Sequence, residues 1–258
     1  MKNKMKILKN IYSDKTLFGT CIVIILWYIL HIFIRSSIIP GPYETILTFG
    51  RLMTGDLFLH ILVSIFRIIA AILISMSIGV PLGLWIGLSK RADSFISPVA
   101  YILYPIPKVA FLPLFMIIFG LGNTSKIILI VSIIIFQIIL TVRDGVKEIP
   151  MELHYSVQSL GLSIYQVYAN LVFPAVLPKI ISALRVSIGV SIATLFFSEN
   201  FATTYGIGYF IMNCWVMVDY VQMFAGILAM SIMGILIFKV IDIMENKLCP
   251  WIDINKSS

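Results

Sequence analysis

Long apolar segments joined by short polar connectors make up most of this chain. A helix needs about 20 apolar residues to cross the roughly 30 Å hydrocarbon core of a bilayer. Because lipid offers backbone groups no hydrogen-bond partner, each such segment must be helical. The pattern predicts an all-α, polytopic membrane helix bundle with about six transmembrane helices. The predicted spans cover residues 17–34, 61–88, 96–119, 125–142, 177–199 and 221–243.

The composition also indicates a membrane protein. Of the 258 residues, 60% are hydrophobic and 12% are charged, whereas soluble domains carry about 25% charged residues. The net charge of +7 does not indicate nucleic-acid binding, because the cations lie in the short connectors between apolar segments. The chain is therefore expected to form one membrane-embedded domain.

The distribution of lysine and arginine predicts that both termini are cytoplasmic. With that orientation 13 cations lie inside and three lie outside, as expected when cytoplasmic connectors accumulate positive charge. The inside set is Lys2, Lys4, Lys6, Lys9, Lys15, Lys90, Arg91, Arg143, Lys147, Lys179, Lys239, Lys247 and Lys256, the outside set is Arg35, Arg51 and Lys126, and Arg67, Lys108 and Arg185 lie within spans.

The basic N-terminus is followed by an apolar run, as in a signal peptide. The run is long for a signal peptide, and no small-x-small cleavage site follows it, so we expect a retained signal-anchor helix. Cysteines and histidines are scattered, without a CxxC pair or a histidine cluster, and the sequence predicts no metal site and no cofactor. These residues are Cys21, Cys214, Cys249, His31, His60 and His154.

A polar, helix-forming segment at 143–177 interrupts the apolar pattern, and the predicted topology places it in the cytoplasm. Pro150 suits a first helical turn, Gly161 suits a C-terminal cap, and Ser163 with Gln166 forms a capping box. The first predicted helix carries an apolar stripe at Leu153, Val157 and Leu160, and the second at Ile164, Val167, Tyr168 and Leu171. Pro174 is expected to end the second helix and Pro178 to open the fifth span.

Two other spans carry unusual residues. Small residues at i+4 spacing form a ridge on the second span, which indicates close helix packing either within one bundle or at a subunit interface. Three prolines predict that the third span is kinked, either for structural reasons or because it faces a pathway. The ridge is Ala71, Ser75, Gly79, Gly83 and Gly87, and the prolines are Pro105, Pro107 and Pro113.

The fifth span has a polar face, which either lines the translocation pathway or makes hydrogen bonds between helices. Glu199, near the predicted outer end, is expected to be solvated or to pair with Arg67, and Arg185 can snorkel to the inner surface. These charges are also compatible with an anion path, and Gly206 and Gly208 with either a gate or a tight turn. The polar face consists of Ser187, Ser191, Thr194 and Ser198, and Glu199 joins these four as a candidate residue of the translocation pathway.

The cytoplasmic segment resembles the signature loop of ABC importer permeases: Glu-Ala-Ala, three residues, Gly, nine residues, Ile, one residue, Leu-Pro. Gly161 takes the glycine position and Leu171-Val-Phe-Pro174 follows in register, while Tyr155-Ser-Val157 replaces Glu-Ala-Ala. An ordered set of further segments resembles the nitrate/sulfonate/taurine branch of this family over residues 39–251. These segments are 39–42, 60–67, 79–87, 97–98, 104–107, 112–114, 119–122, 184–185, 198–199 and 205–209.

The resemblance implies a type I ABC importer permease in a bacterial plasma membrane, which carries a sulfonate-, nitrate- or taurine-like solute or a related small organic compound. It also implies a second permease subunit, expected to be identical, together with cytoplasmic ABC ATPases and an extracytoplasmic solute-binding protein. The chain has no Walker motif, in keeping with a separate ATPase. The residues implied to contact that ATPase are Leu153, Tyr155, Ser156, Val157, Leu160 and Gly161.

The expected organisation is a basic N-terminus with the first span at 1–38, the permease domain at 39–251 and a cytoplasmic tail at 252–258. One alternative function is a proton-coupled secondary transporter, but no carboxylate lies at the centre of a predicted span, where that class needs one. A membrane enzyme is a second alternative, but it would need a catalytic cluster, and the sequence shows none near its isolated histidines.

Overall fold

The computed structural model describes residues 2–251, and side chains over 18–251 except at 154, 158 and 164. The predicted tail at 252–258, the basic side chains before residue 18, and the predicted roles of His154 and Ile164 therefore lie outside the described residues. The described chain is built of helices and connectors, as predicted. The helices are α1 (Lys2–Ile34), α2 (Pro42–Leu52), α3 (Asp56–Leu88), α4 (Lys90–Leu103), a 3-10 turn (Lys108–Phe111), α5 (Leu112–Phe119), α6 (Asn123–Lys147), α7 (Met151–Ser159), α8 (Ile164–Val167), a π turn (Tyr168–Val172), α9 (Phe173–Glu199), α10 (Ile207–Val216) and α11 (Tyr220–Leu248).

The chain divides into two units. The first comprises Met1–Phe58 and Phe210–Ala229, and the second comprises Leu59–Tyr209 and Met230–Ser258. In the first unit, Trp27 Nε1 donates to Pro40 O at 3.1 Å, and the Trp27 ring stacks on Phe224 at 5.7 Å. The hydrogen bond holds the connector after α1 against its own helix, and the ring stack packs α1 against the first turns of α11.

Among the residues that the structure describes, four helices are long and apolar enough to span a membrane: Asp56–Leu88, Asn123–Lys147, Tyr165–Glu199 and Tyr220–Leu248. A bent pair, Lys90–Leu103 with Lys108–Phe119, makes a fifth span if it is counted as one. All six predicted spans fall on helices, but the described apolar part of α1, Phe18–Ile34, is shorter than the other spans. The total of six spans and the cytoplasmic position of both termini stay predictions.

The third predicted span is broken rather than kinked. Its two helices meet at an angle of 79°, because Pro105 and Pro107 lack N–H groups and disfavour a helical conformation in the residues before them. Lys108 Nζ donates to Leu103 O at 2.6 Å and to Tyr104 O at 3.1 Å. The lysine thus donates to two carbonyl groups at the break, at the end of α4, and Leu103 O also accepts from Ile106 N–H.

The glycine ridge of α3 packs against α6 within the second unit. A Cβ atom on Gly79 would lie 2.9 Å from Ile138 Cγ2, and one on Gly83 would lie 2.7 Å from Ile139 O. A Cβ on Gly87 would lie 2.5 Å from Val146 Cβ. Only a hydrogen atom fits at these three positions, so of the two predicted uses of the ridge the structure shows packing within one bundle.

The second helix of the polar segment at 143–177 does not end at Pro174, which corrects the prediction. The chain stays helical through the π turn into α9, where Pro174 occupies the first turn and Pro178 lies inside the helix. Phe173 N–H bonds to Tyr168 O, five residues back, and this wider turn accommodates a proline that has no N–H to donate. The second helix of the polar segment is therefore continuous with the fifth predicted span, over Tyr165–Glu199.

The inner end of α9 packs against α11 in a buried apolar cluster that includes Ile181, Leu184, Ile241 and Cys249. Burial raises the pKa of the Cys249 thiol, so this cysteine packs as a small apolar side chain. Arg185 on α9 also binds α11, at 2.5 Å to Asp242 and 2.7 Å to Glu245. Arg185, which the sequence allows to snorkel to the inner surface, forms ion pairs with these two carboxylates.

Candidate functional site

A sharp corner separates α7 from α8, at the position that the sequence predicts. Gly161 has φ +69°, a left-handed conformation that glycine adopts without a Cβ penalty. Ser163 N–H donates to the Gln166 side-chain oxygen at 2.8 Å, which is the backward half of a capping box. The glycine corner and this part of the cap are both confirmed.

Apolar side chains around the corner point into solvent. Leu153 is 45% exposed, Tyr155 is 62% exposed and Leu160 is 75% exposed, while Val157 is half-buried. Ser156 Oγ donates to Glu152 O at 2.8 Å and so bonds within its own helix. We call the segment Leu153–Gly161 the corner surface.

The base of the corner is anchored where α6 ends and α9 begins. Lys179 Nζ lies 2.9 Å from the Glu148 carboxylate, and a Cβ on Gly145 would lie 3.1 Å from Lys179 Cβ. Close packing at Gly145 and the ion pair join the two helices from which the corner projects. A force on the corner can therefore pass into two helices of the bundle.

A second ion network ties α4 to α6. Asp93 lies 2.7 Å from Arg143 Nε and 2.5 Å from Lys147 Nζ, and Ser97 Oγ donates to Asp93 at 2.6 Å. Arg143 and Lys147 lie in the last two turns of α6, the helix to which the base of the corner is anchored. The bent third span is thus bound to the same helix as the corner.

The predicted polar face of α9 is buried, and its hydroxyl groups bond mainly to their own helix. Ser191 Oγ donates to Ser187 O at 2.7 Å, and Ser198 Oγ donates to Leu195 O at 3.0 Å. Thr194 is also buried, and Ser187 Oγ has no hydrogen-bond partner among the described residues. Contact between this face and a solute stays a prediction.

Glu199 is fully buried and paired with Arg67, so of the two predicted alternatives the pairing is confirmed and the solvated position is wrong. Arg67 Nη1 lies 2.5 Å from Glu199 Oε1, and the two side chains are 4% and 0% exposed. Ser64 Oγ donates to the carboxylate at 2.8 Å, and Gly208 N–H donates to its other oxygen at 2.8 Å. These donors satisfy the carboxylate, which explains why it is stable away from water.

The segment after α9 folds tightly over this carboxylate. Gly206 N–H donates to His60 Nδ1 at 2.9 Å, and Ile207 N–H donates to Ser64 Oγ at 2.8 Å. Gly206 has φ +154°, and a Cβ there would overlap the Glu199 carboxylate. Gly206 and Gly208 therefore allow the backbone to lie against the Glu199 carboxylate, which an ordinary turn does not require.

Asn123 and Lys126 also belong to this region, and neither was identified as a site residue from the sequence. Arg67 Nε donates to Asn123 Oδ1 at 2.9 Å. Lys126, predicted in an outer connector, lies in the first turns of α6 with its side chain 1% exposed. Its Nζ donates to Leu121 O at 3.0 Å and to Ala202 O at 3.4 Å. A sequence signal did exist in His60, Ser64 and Arg67, which share one face of α3 at i, i+4 and i+7.

Comparison with known proteins agrees with this architecture. The model of the family "binding-protein-dependent transport system inner membrane component" matches residues 79–253. The taurine transport system permease protein TauC of Escherichia coli is 32% identical over 77% of this chain and 72% of its own. The nitrate import permease protein NrtB of Synechocystis is 25% identical over 96% of this chain and 95% of its own.

A solved structure supports the fold. A chain of the MetNI methionine ABC transporter, in an inward-facing conformation, superposes with a TM-score of 0.66 at 17% identity, covering 76% of this chain and 97% of that one. Permeases of this family span the membrane and work with an ATPase and a substrate-binding protein. The chain belongs to the binding-protein-dependent transport system inner membrane component family, and it is the membrane-embedded, non-enzymatic permease subunit of an ABC importer.

Proposed function

We propose that two copies of this chain form the translocation pathway of an importer in a bacterial plasma membrane. Two cytoplasmic ATPases drive it, and an extracytoplasmic binding protein delivers a small solute of the sulfonate, taurine or nitrate kind. The solute class is supported by similarity to TauC and NrtB, whose names specify taurine and nitrate. Cytoplasmic placement of the corner follows from the 13-to-3 distribution of cations.

The exposed corner surface is the observation that carries the coupling role. Its apolar side chains, led by Leu160 at 75% exposure, lie outside the long apolar helices of the second unit. Exposed apolar groups clustered on a short helix suit a groove on a partner protein. We assign that partner as the ATPase, and the contact residues as Leu153, Tyr155, Ser156, Val157, Leu160 and Gly161.

The contact is apolar and depends on shape, because Tyr155 stands where related permeases place a glutamate. The corner keeps the left-handed glycine at Gly161 and thus the sharp turn between α7 and α8. Movement of the corner would reach the bundle through Lys179–Glu148 and the packing at Gly145. This arrangement gives ATP binding a mechanical route into α6 and α9.

The polar face of α9 is proposed to approach the solute only in another conformation of the transporter. In the present structure Ser187, Ser191, Thr194 and Ser198 are buried. Glu199 instead stabilises the end of α9, since its carboxylate is fully occupied by Arg67, Ser64 and Gly208. We therefore assign Glu199 to structure and keep the serine and threonine face as the pathway candidate.

Co-purification tests the coupling role. The native tagged chain should bring down a cytoplasmic ATPase, and Leu160→Asp should lose most of it, since a buried unpaired charge is costly at an apolar contact. Leu160→Met is the matched control and should retain the ATPase, because it keeps an apolar side chain of similar volume. Equal recovery with Leu160→Asp would contradict the assignment.

A further inference from the structure

A cavity of about 710 Å³ opens beside the buried Arg67–Glu199 pair. Its volume lies within the range of about 300–1,000 Å³ typical of small-molecule sites. The cavity lies wholly within the second unit, at the end of the bundle that the charge distribution predicts to face outward. The polar and charged residues that line it are Arg67, Asn123, Lys126, Thr203, Thr204 and Tyr205.

The charges around this cavity do not balance. Arg67 is matched by Glu199, whereas Lys126 Nζ donates to the backbone carbonyls of Leu121, Gly122 and Ala202. Lys126 is close enough to interact electrostatically with both Arg67 and Glu199. The three groups together carry one net positive charge in a region where Lys126 is 1% exposed and Arg67 is 4% exposed. A net buried charge is costly, so an anion in the cavity would stabilise the site.

Neutral donors complete the lining. Asn123, Thr203, Thr204 and Tyr205 supply amide and hydroxyl groups, and no carboxylate lines the cavity among the described residues. Cations surrounded by hydroxyl and amide donors suit the several oxygens of a sulfonate or nitrate group. A cation solute would meet repulsion from Lys126 without a facing carboxylate.

We propose that this cavity binds the oxyanion group of the transported solute, with Lys126 as the principal counter-charge. The inference rests on the proposed solute class and assigns to it a place in the permease, separate from the binding protein. Lys126 here is a binding residue, whereas Arg67 positions the site through its bonds to Glu199 and Asn123.

Charge-selective labelling tests this proposal on the full-length chain in phosphatidylcholine nanodiscs. Thr204→Cys, in a chain with the exposed Cys21 replaced by serine, places a thiol at the cavity rim. Two methanethiosulfonate reagents are compared, one carrying a sulfonate and one a trimethylammonium group. After each rate is divided by the reagent's rate with a free thiol, the sulfonate reagent should react faster, and Lys126→Gln should lower the rate ratio about threefold to tenfold, as expected for removing one nearby charge. Lys126→Arg should keep the ratio, and Thr54→Cys, on the exposed connector between α2 and α3, should be unaffected by either change.

Protection of the introduced thiol by a competing anion distinguishes an anion-binding site from a general electrostatic effect of Lys126. Millimolar methanesulfonate at constant ionic strength should slow labelling at position 204, and chloride should not. A changed ratio without protection would overturn the proposal, as would protection by added phosphatidylglycerol but not by methanesulfonate, which would indicate a lipid site. If Lys126→Gln does not fold, protection in the chain with its native lysine decides the matter. Labelling requires no ATPase, so failure here is distinct from failure of ATPase co-purification.

Discussion

Arg67 and Glu199, 132 residues apart in sequence, form an ion pair of 2.5 Å that is almost completely buried. The pair joins α3 to the end of α9, and Ser64 and Gly208 complete the coordination of the carboxylate. This relationship explains why a glutamate is tolerated at the end of an apolar helix and why two glycines follow it. It also fixes one wall of the cavity assigned to the oxyanion.

Breaking the Arg67–Glu199 pair should destabilise the protein strongly. Arg67→Met leaves the Glu199 charge buried without a partner, and removing one member of a buried pair costs about 3–5 kcal/mol. Thermal unfolding in detergent, followed by tryptophan fluorescence, measures the loss. The double variant Arg67→Met, Glu199→Leu should recover part of the stability, and a single variant as stable as the native chain would contradict the structural role.

Adding a methyl group to the glycine ridge should impair packing of α3 on α6. In Gly83→Ala the new Cβ would lie 2.7 Å from Ile139 O, so the helices must separate and the unfolding temperature should fall. Gly189→Ala is the matched control, because no atom lies within 4 Å of a Cβ there and alanine favours helix. Equal stability of the two variants would show that the ridge does not pack as described.

Replacing Gly161 should strain the corner without a steric clash. No atom lies within 4 Å of a Cβ at this position, but the left-handed conformation costs a non-glycine residue about 1–2 kcal/mol. Gly161→Ala should therefore weaken ATPase co-purification, and Gly161→Asn should weaken it less, because asparagine tolerates this conformation better. If alanine and asparagine have the same effect, the conformation of Gly161 does not control the contact.

Removing a hydroxyl from the buried face of α9 should have little effect on stability. Ser191 Oγ bonds to Ser187 O in its own helix, and a typical hydrogen bond contributes about 1 kcal/mol. Ser191→Ala should unfold at nearly the native temperature. A marked loss of solute uptake by this stable variant would support its assignment to the pathway, and unchanged uptake would remove Ser191 from it.

Local signals in the sequence predicted the corner well, because glycine caps and capping boxes act over a few residues. Gly161 and Gln166 do what their spacing indicates. The prediction that a helix ends at Pro174 is wrong, because a π turn of five residues precedes this proline and the helix continues through it. Proline has no backbone N–H to donate, but whether the helix tolerates the missing hydrogen bond depends on whether the preceding turn is an α turn or a wider π turn.

Contacts between distant segments were harder to predict. The sequence left two positions open for Glu199, in solvent at the end of its helix or paired with Arg67. Its burial depends on Ser64, Arg67 and Gly208, which distant or later parts of the chain supply. Lys126 was assigned to a connector because a lysine usually marks one. Its burial depends on carbonyl groups of Leu121 and Ala202 that only the folded chain brings together.

Photocrosslinking from the corner tests the central claim, which is that a partner ATPase binds this chain at the Gly161 corner. A benzophenone amino acid replaces Leu160 in cells, and the same group at Thr54, on the predicted outer side, serves as the control. The account predicts an adduct between this chain and an ABC ATPase at position 160 and none at position 54. Absence of an ATPase adduct at position 160, with the variant present in the membrane at the native level, would contradict it.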